Sequence, residues 1–334
     1  MAKKIKDTDY LVISARIKAM ETGLLTRERM EQILEARSDD EAIKLLQECG
    51  YPELDATNPE ALDAALSAAR EATLEDLTDG APDSRYIDIF KLKYDYHNAK
   101  VILKARAMGV DAQHMLMDMG RVPAAELKAA MDSGELDSLP TLLAAAVAEA
   151  RDVLDTTRDP QLSDIALDRR SYQDMAQVAA STGSAFLAGY VRAVIDAVNL
   201  RTLVRTLRMG KSAEFLQGVL VEGGEMDPAS ILAVSAAGGS GLSELYAPTA
   251  LHGAAEAGAE ALNGGALTAF EKLCDDAVGE YLSGAQLIPF GEAPLVGYLA
   301  ARETEYTNLR ILLMGRGTGL PPEVIRSRLR ASYV

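Results

Sequence analysis

Apolar residues recur along the chain at helical rather than strand spacing. Tyr10, Ile13, Ile17 and Met20 fall on one stripe, which predicts a helix from about Thr8 to Thr22 that stops at Gly23. Thr26 is placed to cap a second helix carrying Met30, Ile33 and Leu34. Ser38 and Glu41 form an S-x-x-E capping box before Ile43, Leu45 and Leu46, and Gly50-Tyr51-Pro52 closes that segment. No run combines β-branched residues with clean alternation, so strands are not expected. The expected fold class is all-α.

A longer period lies above the helical one. The stretch from Asp95 through Asn98 and Lys100 to Met108-Gly109 recurs from Asp196 through Asn199 and Arg201 to Met209-Gly210. A third, shorter copy runs from Glu305 through Asn308 and Arg310 to Met314-Gly315. The shared pattern is acid-x-x-Asn-x-base, then apolar residues, then Met-Gly. The Asn residues are 101 (199 − 98) and 109 (308 − 199) positions apart. Gly23, Gly120 and Gly224 each stand seven residues before an apolar helical position, and are spaced by 97 (120 − 23) and 104 (224 − 120). Two landmarks with matching periods predict three domain-sized helical bundles, at 1–110, 111–211 and 212–334. The junctions are expected near Gly109 to Asp111 and Gly210 to Ser212. The third unit is rich in glycine, and each interior Gly costs a helix about 1 kcal/mol relative to Ala. Its helices should therefore be short.

On a helix, acid-x-x-Asn sets two polar groups on adjacent turns of one face. Asp95 with Asn98, Asp196 with Asn199, and Glu305 with Asn308 are thus candidate structural residues, each Asn amide at the edge of an apolar stripe and within reach of a neighbouring helix. A separate stripe is basic: Lys100 and Lys104, then Arg201, Arg205 and Arg208, then Arg310. Two readings compete. In one the basic stripe is a solvated face; in the other it is presented to a partner.

Composition narrows the function. The formal net charge of −16 opposes general binding of nucleic acid or of an anionic lipid surface. The most apolar stretch, Leu139 to Ala148, is far short of the roughly 20 residues of a membrane span. The start of the chain carries no apolar core of a signal peptide. Cys49 and Cys274 stand far apart and read as reduced thiols of a cytoplasmic protein. His97, His114 and His252 lie in three different units with no further ligand at metal spacing. The run Gly315-Arg316-Gly317-Thr318-Gly319 follows a helix instead of a strand, so it is not a phosphate loop; Gly315 is expected to end that helix, with Pro321 and Pro322 opening the next. No nucleophile, cofactor or metal motif emerges, and a non-catalytic protein is expected. An all-helical adaptor scaffold remains open as an alternative, as does an enzyme with a composite site between units.

Several stretches, in order, resemble the C subunit of V/A-type rotary ATPases, equivalent to the d subunit of the eukaryotic vacuolar enzyme. They are Asp9-Tyr10-Leu11-Val12-Ile13-Ser14-Ala15-Arg16, Leu24-Leu25-Thr26-Arg27-Glu28, Tyr94-Asp95-Tyr96-His97-Asn98, Val198-Asn199-Leu200-Arg201, Pro289-Phe290-Gly291, Asn308-Leu309-Arg310 and Gly319-Leu320-Pro321-Pro322-Glu323. The resemblance implies a funnel of three similar helical domains in pseudo-threefold arrangement. It implies a protein without nucleotide or ion site of its own, peripheral on the cytoplasmic face of the membrane. Its partners would be the D and F subunits of the central shaft on one side and the proteolipid ring on the other, and its task torque transmission.

Overall fold

The computed structural model describes residues 5–52, 54–55 and 58–334. Among the described residues there are sixteen α-helices and no strand. In chain order they are α1 (Leu11–Glu21), α2 (Arg27–Leu34), α3 (Asp39–Glu48), α4 (Pro59–Gly80), α5 (Arg85–Met108), α6 (Ala124–Ser133), α7 (Thr141–Thr157) and α8 (Pro160–Thr182). There follow α9 (Ala185–Arg208), α10 (Ala213–Val219), α11 (Pro228–Ala236), α12 (Leu242–Tyr246), α13 (His252–Leu262), α14 (Leu267–Ser283), α15 (Glu292–Gly317) and α16 (Pro322–Arg326).

The local signals explain many of these boundaries. The Thr26 hydroxyl accepts the Arg29 N–H at 3.2 Å and starts α2. The Ser38 hydroxyl accepts the Glu41 N–H at 3.2 Å, while the Glu41 carboxylate reaches past the cap to the Arg37 N–H at 2.7 Å. Asn58 and Asp159 cap α4 and α8, each ahead of a proline at the first helical position. In the glycine-rich stretch α10 to α13 are short, with 7, 9, 5 and 11 residues, but α14 and α15, also beyond residue 212, have 17 and 26, so the expectation of short helices does not extend over the rest of the chain.

The chain forms two compact units. One combines Met1–Asp83 with Gly239–Val334. Its core joins Met30, Ile33 and Leu34 of α2 and Leu62 and Leu66 of α4 to Leu309, Leu312 and Leu313 of α15, with Ile325 of α16. The other is Ser84–Gly238. Its core joins Ala99, Ile102 and Leu103 of α5 to Leu127 and Met131 of α6, Leu143 and Val147 of α7, and Leu167 of α8. The apolar stripe after Asn98 and that after Asn308 thus do the same work in separate cores. Each packs on the helix that follows a landmark glycine, α6 after Gly120 and α2 after Gly23.

One boundary differs from expectation. Gly315 does not end its helix, since α15 continues to Gly317 and the left-handed residue is Gly319, with φ of +70°. Gly315 lies inside α15 because Ile325 packs directly on its backbone; a β-carbon there would overlap the isoleucine side chain. Gly319 is the true counterpart of the earlier caps. It stands 11 residues past its Asn (319 − 308), as do Gly109 (109 − 98) and Gly210 (210 − 199), whose φ values are +68° and +64°. The closing bonds match as well: Val110 N–H to Ala105 O, Lys211 N–H to Thr206 O, and Leu320 N–H to Gly315 O, at 3.0, 3.1 and 2.9 Å.

Candidate functional site: three carboxylate and amide clasps

The three Asn side chains make the same pair of bonds. Asn98 donates to the Met117 carbonyl at 2.7 Å and accepts the Met117 N–H at 2.9 Å. Asn199 does this with Val221 at 2.8 and 2.9 Å, and Asn308 with Arg330 at 3.1 and 2.8 Å. A primary amide presents one donor and one acceptor side by side, which matches the N–H and C=O of a single extended residue. Met117 and Val221 lie in connecting segments and Arg330 in the segment after α16, none of them on a neighbouring helix, so each amide fixes non-helical backbone to its helix. All three Asn side chains are buried.

The acid one turn earlier holds the next part of the same loop. Asp95 accepts the Arg121 and Val122 N–H groups at 2.9 and 3.1 Å. Asp196 accepts those of Glu225 and Met226, both at 3.0 Å. Glu305, longer by one methylene, accepts the Leu25 N–H at 2.5 Å. The residues gripped follow the landmark glycines by one or two positions. The glycines are required by the carboxylates: a β-carbon on Gly120 or Gly224 would overlap an oxygen of Asp95 or Asp196. The acid-x-x-Asn motif and the glycine landmark are therefore two halves of one device. At the third site the halves come from opposite ends of the chain. Asn308 holds Arg330, Glu305 holds Leu25, and the Ser332 hydroxyl donates to the Leu25 carbonyl at 3.1 Å.

Two of the buried acids carry a cation. The Arg121 guanidinium donates to Asp95 at 2.7 Å and to Asp174 at 2.7 Å, and Asp174 also accepts the Tyr96 hydroxyl at 3.2 Å. Burial pushes the Asp95 carboxyl above the ordinary carboxylate range, against the pull of Arg121 and two backbone N–H groups. Arg121 is itself raised, its bonds to Asp174 and Asp95 outweighing its burial. At the third site Arg302 and the Tyr51 hydroxyl both donate to Glu305, and the guanidinium lies over the Tyr51 and Tyr306 rings at 5.6 and 4.8 Å. Burial, and then the charge of Glu305, keeps the Tyr51 hydroxyl protonated. Among the described residues no cation stands at bonding distance from Asp196; burial pushes its carboxyl up as well. Arg121, Asp174, Tyr51 and Arg302 carry no repeat signal strong enough to be picked out from sequence, although Tyr96 and Tyr306 each stand two residues before their Asn.

The basic stripe is engaged within the fold. Lys100 pairs with Asp168, and Lys104 with Asp164 at 2.5 Å. Arg310 forms a forked pair with Asp63 at 2.6 and 3.0 Å. Arg201, Arg205 and Arg208 each have an interaction inside the chain. Lys104, Arg205, Arg208 and Arg310 are exposed, while Lys100 and Arg201 are half-buried. Cys49 and Cys274 are free thiols. Among the described residues no cluster of His, Cys, Asp and Glu is placed to hold a metal ion, and no helix is long and apolar enough to cross a membrane.

The buried polar groups thus hold backbone in place, which defines an all-helical structural protein built on a repeated clasp. Residues 13–328 match the family described as ATP synthase (C/AC39) subunit, and the chain belongs to that family. The C subunit of the V-type sodium ATPase of Enterococcus hirae is 25% identical over 334 residues, covering 97% of this chain and 99% of that one. The C subunit of the A-type ATP synthase of Methanocaldococcus jannaschii is 26% identical over 344 residues, covering 96% and 86%. That of Haloferax volcanii is 23% identical over 341 residues, covering 96% and 97%. The chain is accordingly a structural, non-catalytic part of a rotary ATPase, and the reading as an adaptor unrelated to such machines falls away.

Proposed function

We propose that this protein joins the central shaft, made of the D and F subunits, to the membrane proteolipid ring and passes torque between them. In this reading it lies peripherally on the cytoplasmic face, held there by the ring, and couples ATP turnover in the head to ion passage in the membrane. The observation that carries the reading is the clasp, whose Asn makes the same pair of backbone bonds at all three sites while the acid before it holds further backbone. A coupling element must resist twist, and a connecting loop fixed at both a carboxylate and an amide has little freedom to yield. Well-packed helical interiors are also barely compressible. The matched clasps further support three copies of one helical module about a pseudo-threefold axis, with the third copy closed by the N-terminal segment. The basic stripes of Lys100, Lys104, Arg201, Arg205, Arg208 and Arg310 enter the proposal as surfaces that meet a partner.

The test is reconstitution of the complex in sealed vesicles with and without this chain. The proposal expects ATP hydrolysis to continue without it while ATP-driven ion uptake is lost. Ion uptake that survives its omission would remove the coupling role.

A further inference from the structure

The unit that combines Met1–Asp83 with Gly239–Val334 holds a cavity of about 380 Å³ that none of the clasp carboxylates lines. Its wall is built by α2, α14, α16 and the segment after α16, and each brings one cation: Arg27, Lys272, Arg326 and Arg330. Met30 and Leu329 supply an apolar side. Among the described residues that line it, Glu31 is the single acidic side chain. Four cations to one carboxylate reverses the balance of the chain as a whole, whose net charge is −16.

Three of these cations are held in place with donors to spare. Arg326 spends Nε and Nη2 on Glu31 and Glu35, at 2.9 to 3.2 Å, while its Nη1 meets no acceptor among the described residues. Arg330 spends Nε on Asp275 at 2.9 Å and Nη1 on the Arg328 carbonyl at 2.7 Å, and its Nη2 likewise meets none. Lys272 pairs with Asp276, and an ammonium has three N–H donors. Glu35, Asp275 and Asp276 do not line the cavity, so they fix these cations without filling it. Arg27 is exposed and makes no ion pair or side-chain hydrogen bond among the described residues. Side chains already ordered by such pairs lose little further freedom when a ligand arrives.

We propose that this cavity binds a small polyanion with adjacent phosphoryl groups, the class of which inorganic pyrophosphate is the simplest member. Three of the four cations are guanidinium groups, whose planar forks match phosphoryl oxygens. The donors converge from four segments, and a phosphoryl group offers oxygens on several sides where a carboxylate faces one way. Glu31 stays engaged by Arg326 and so does not repel the ligand as a bare charge would. The bound anion bridges α2, α14, α16 and the segment after α16. That segment is the one Asn308 holds at Arg330 and the Ser332 hydroxyl ties to Leu25, so the ligand tightens the third clasp. The inference does not depend on the coupling role.

Isothermal titration of the full chain with sodium pyrophosphate, at fixed pH and ionic strength, tests it. Saturable one-to-one binding is expected. Arg27→Glu, at an exposed and unpaired position and with its helical circular dichroism unchanged, should weaken that binding about tenfold. Arg106→Glu is the control: Arg106 is an exposed arginine of α5 with no ion-pair partner among the described residues, and its reversal should leave the affinity as it was. The melting midpoint of the parent should also rise with pyrophosphate, and that of Arg27→Glu should rise less at the same concentration. Equal weakening by the two reversals would show attraction to diffuse charge and overturn the site. Absence of saturable binding overturns it as well. A hexa-aspartate peptide that binds as tightly as pyrophosphate would assign the cavity to an acidic protein segment and overturn the phosphoryl reading. Each of these outcomes leaves the coupling role standing.

Discussion

Replacing Asn199 with leucine isolates what one clasp contributes. Asn199 is 1% exposed and holds both backbone groups of Val221, which is itself buried. Leucine keeps the volume and leaves the Val221 N–H and C=O without partners. An unpaired buried polar group costs about 1–3 kcal/mol, so the pair amounts to about 2–6 kcal/mol. The unit Ser84–Gly238 has 155 residues (238 − 84 + 1), and at that size each kcal/mol shifts the melting midpoint by roughly 2–4 °C, giving about 4–24 °C. Urea and thermal unfolding of the isolated chain, followed by circular dichroism, measure this directly. Asn199→Asp sharpens the test. It keeps the acceptor for the Val221 N–H but turns the donor into an oxygen facing the Val221 carbonyl. Its loss should be as large at neutral pH and should shrink in acid, where a protonated carboxyl donates again. A leucine variant within about 0.5 kcal/mol of the parent would show that the clasp does not hold the loop.

Other perturbations address the remaining parts. Gly120→Ala, at a position with ordinary backbone angles, drives a β-carbon into Asp95 and should cost about 1–3 kcal/mol in the same unfolding assay; a neutral effect would mean the loop gives way freely. The raised Asp196 carboxyl makes a contribution that is complete below the ordinary aspartate pKa and lost as pH rises through its higher folded value. The stability of the parent relative to Asp196→Asn should therefore fall as pH rises above the ordinary aspartate pKa of about 4, and a difference that stays flat as pH rises would contradict the burial effect. The paired reversal Arg201→Glu/Arg205→Glu, checked by circular dichroism to be folded, should lower incorporation into the complex by about tenfold; full incorporation would remove that stripe from the partner surface.

The helical class and the first helices can be read from residue spacing, because apolar stripes and short-range caps such as Thr26 and Ser38 are local. The acid-x-x-Asn motif and the landmark glycines are also visible as recurring residues. Their union is not, since Asp95 meets Arg121 and Val122 across 26 and 27 positions, and Glu305 meets Leu25 across 280. Spacing alone pairs Met314-Gly315 with Met108-Gly109, because an identical dipeptide outweighs helix length. The cap that counts is Gly319, and only its positive φ and its bond pattern reveal it. The cations Arg121 and Arg302 escape notice for another reason. They appear at individual sites rather than at all three, so periodicity does not select them. The basic stripe reads as a row of available charges in sequence, but on folding Lys100, Lys104 and Arg310 find aspartates on other helices.

The central claim is that this chain stands between shaft and ring. The most direct measurement is affinity purification of the detergent-solubilised complex through a tag on this chain, with every co-purifying protein identified and counted by mass spectrometry. The account predicts the D and F subunits of the shaft and the proteolipid ring in the same particle, with a single copy of this chain. Recovery of the chain with stationary proteins alone, in particles that hold neither shaft nor ring, would contradict it.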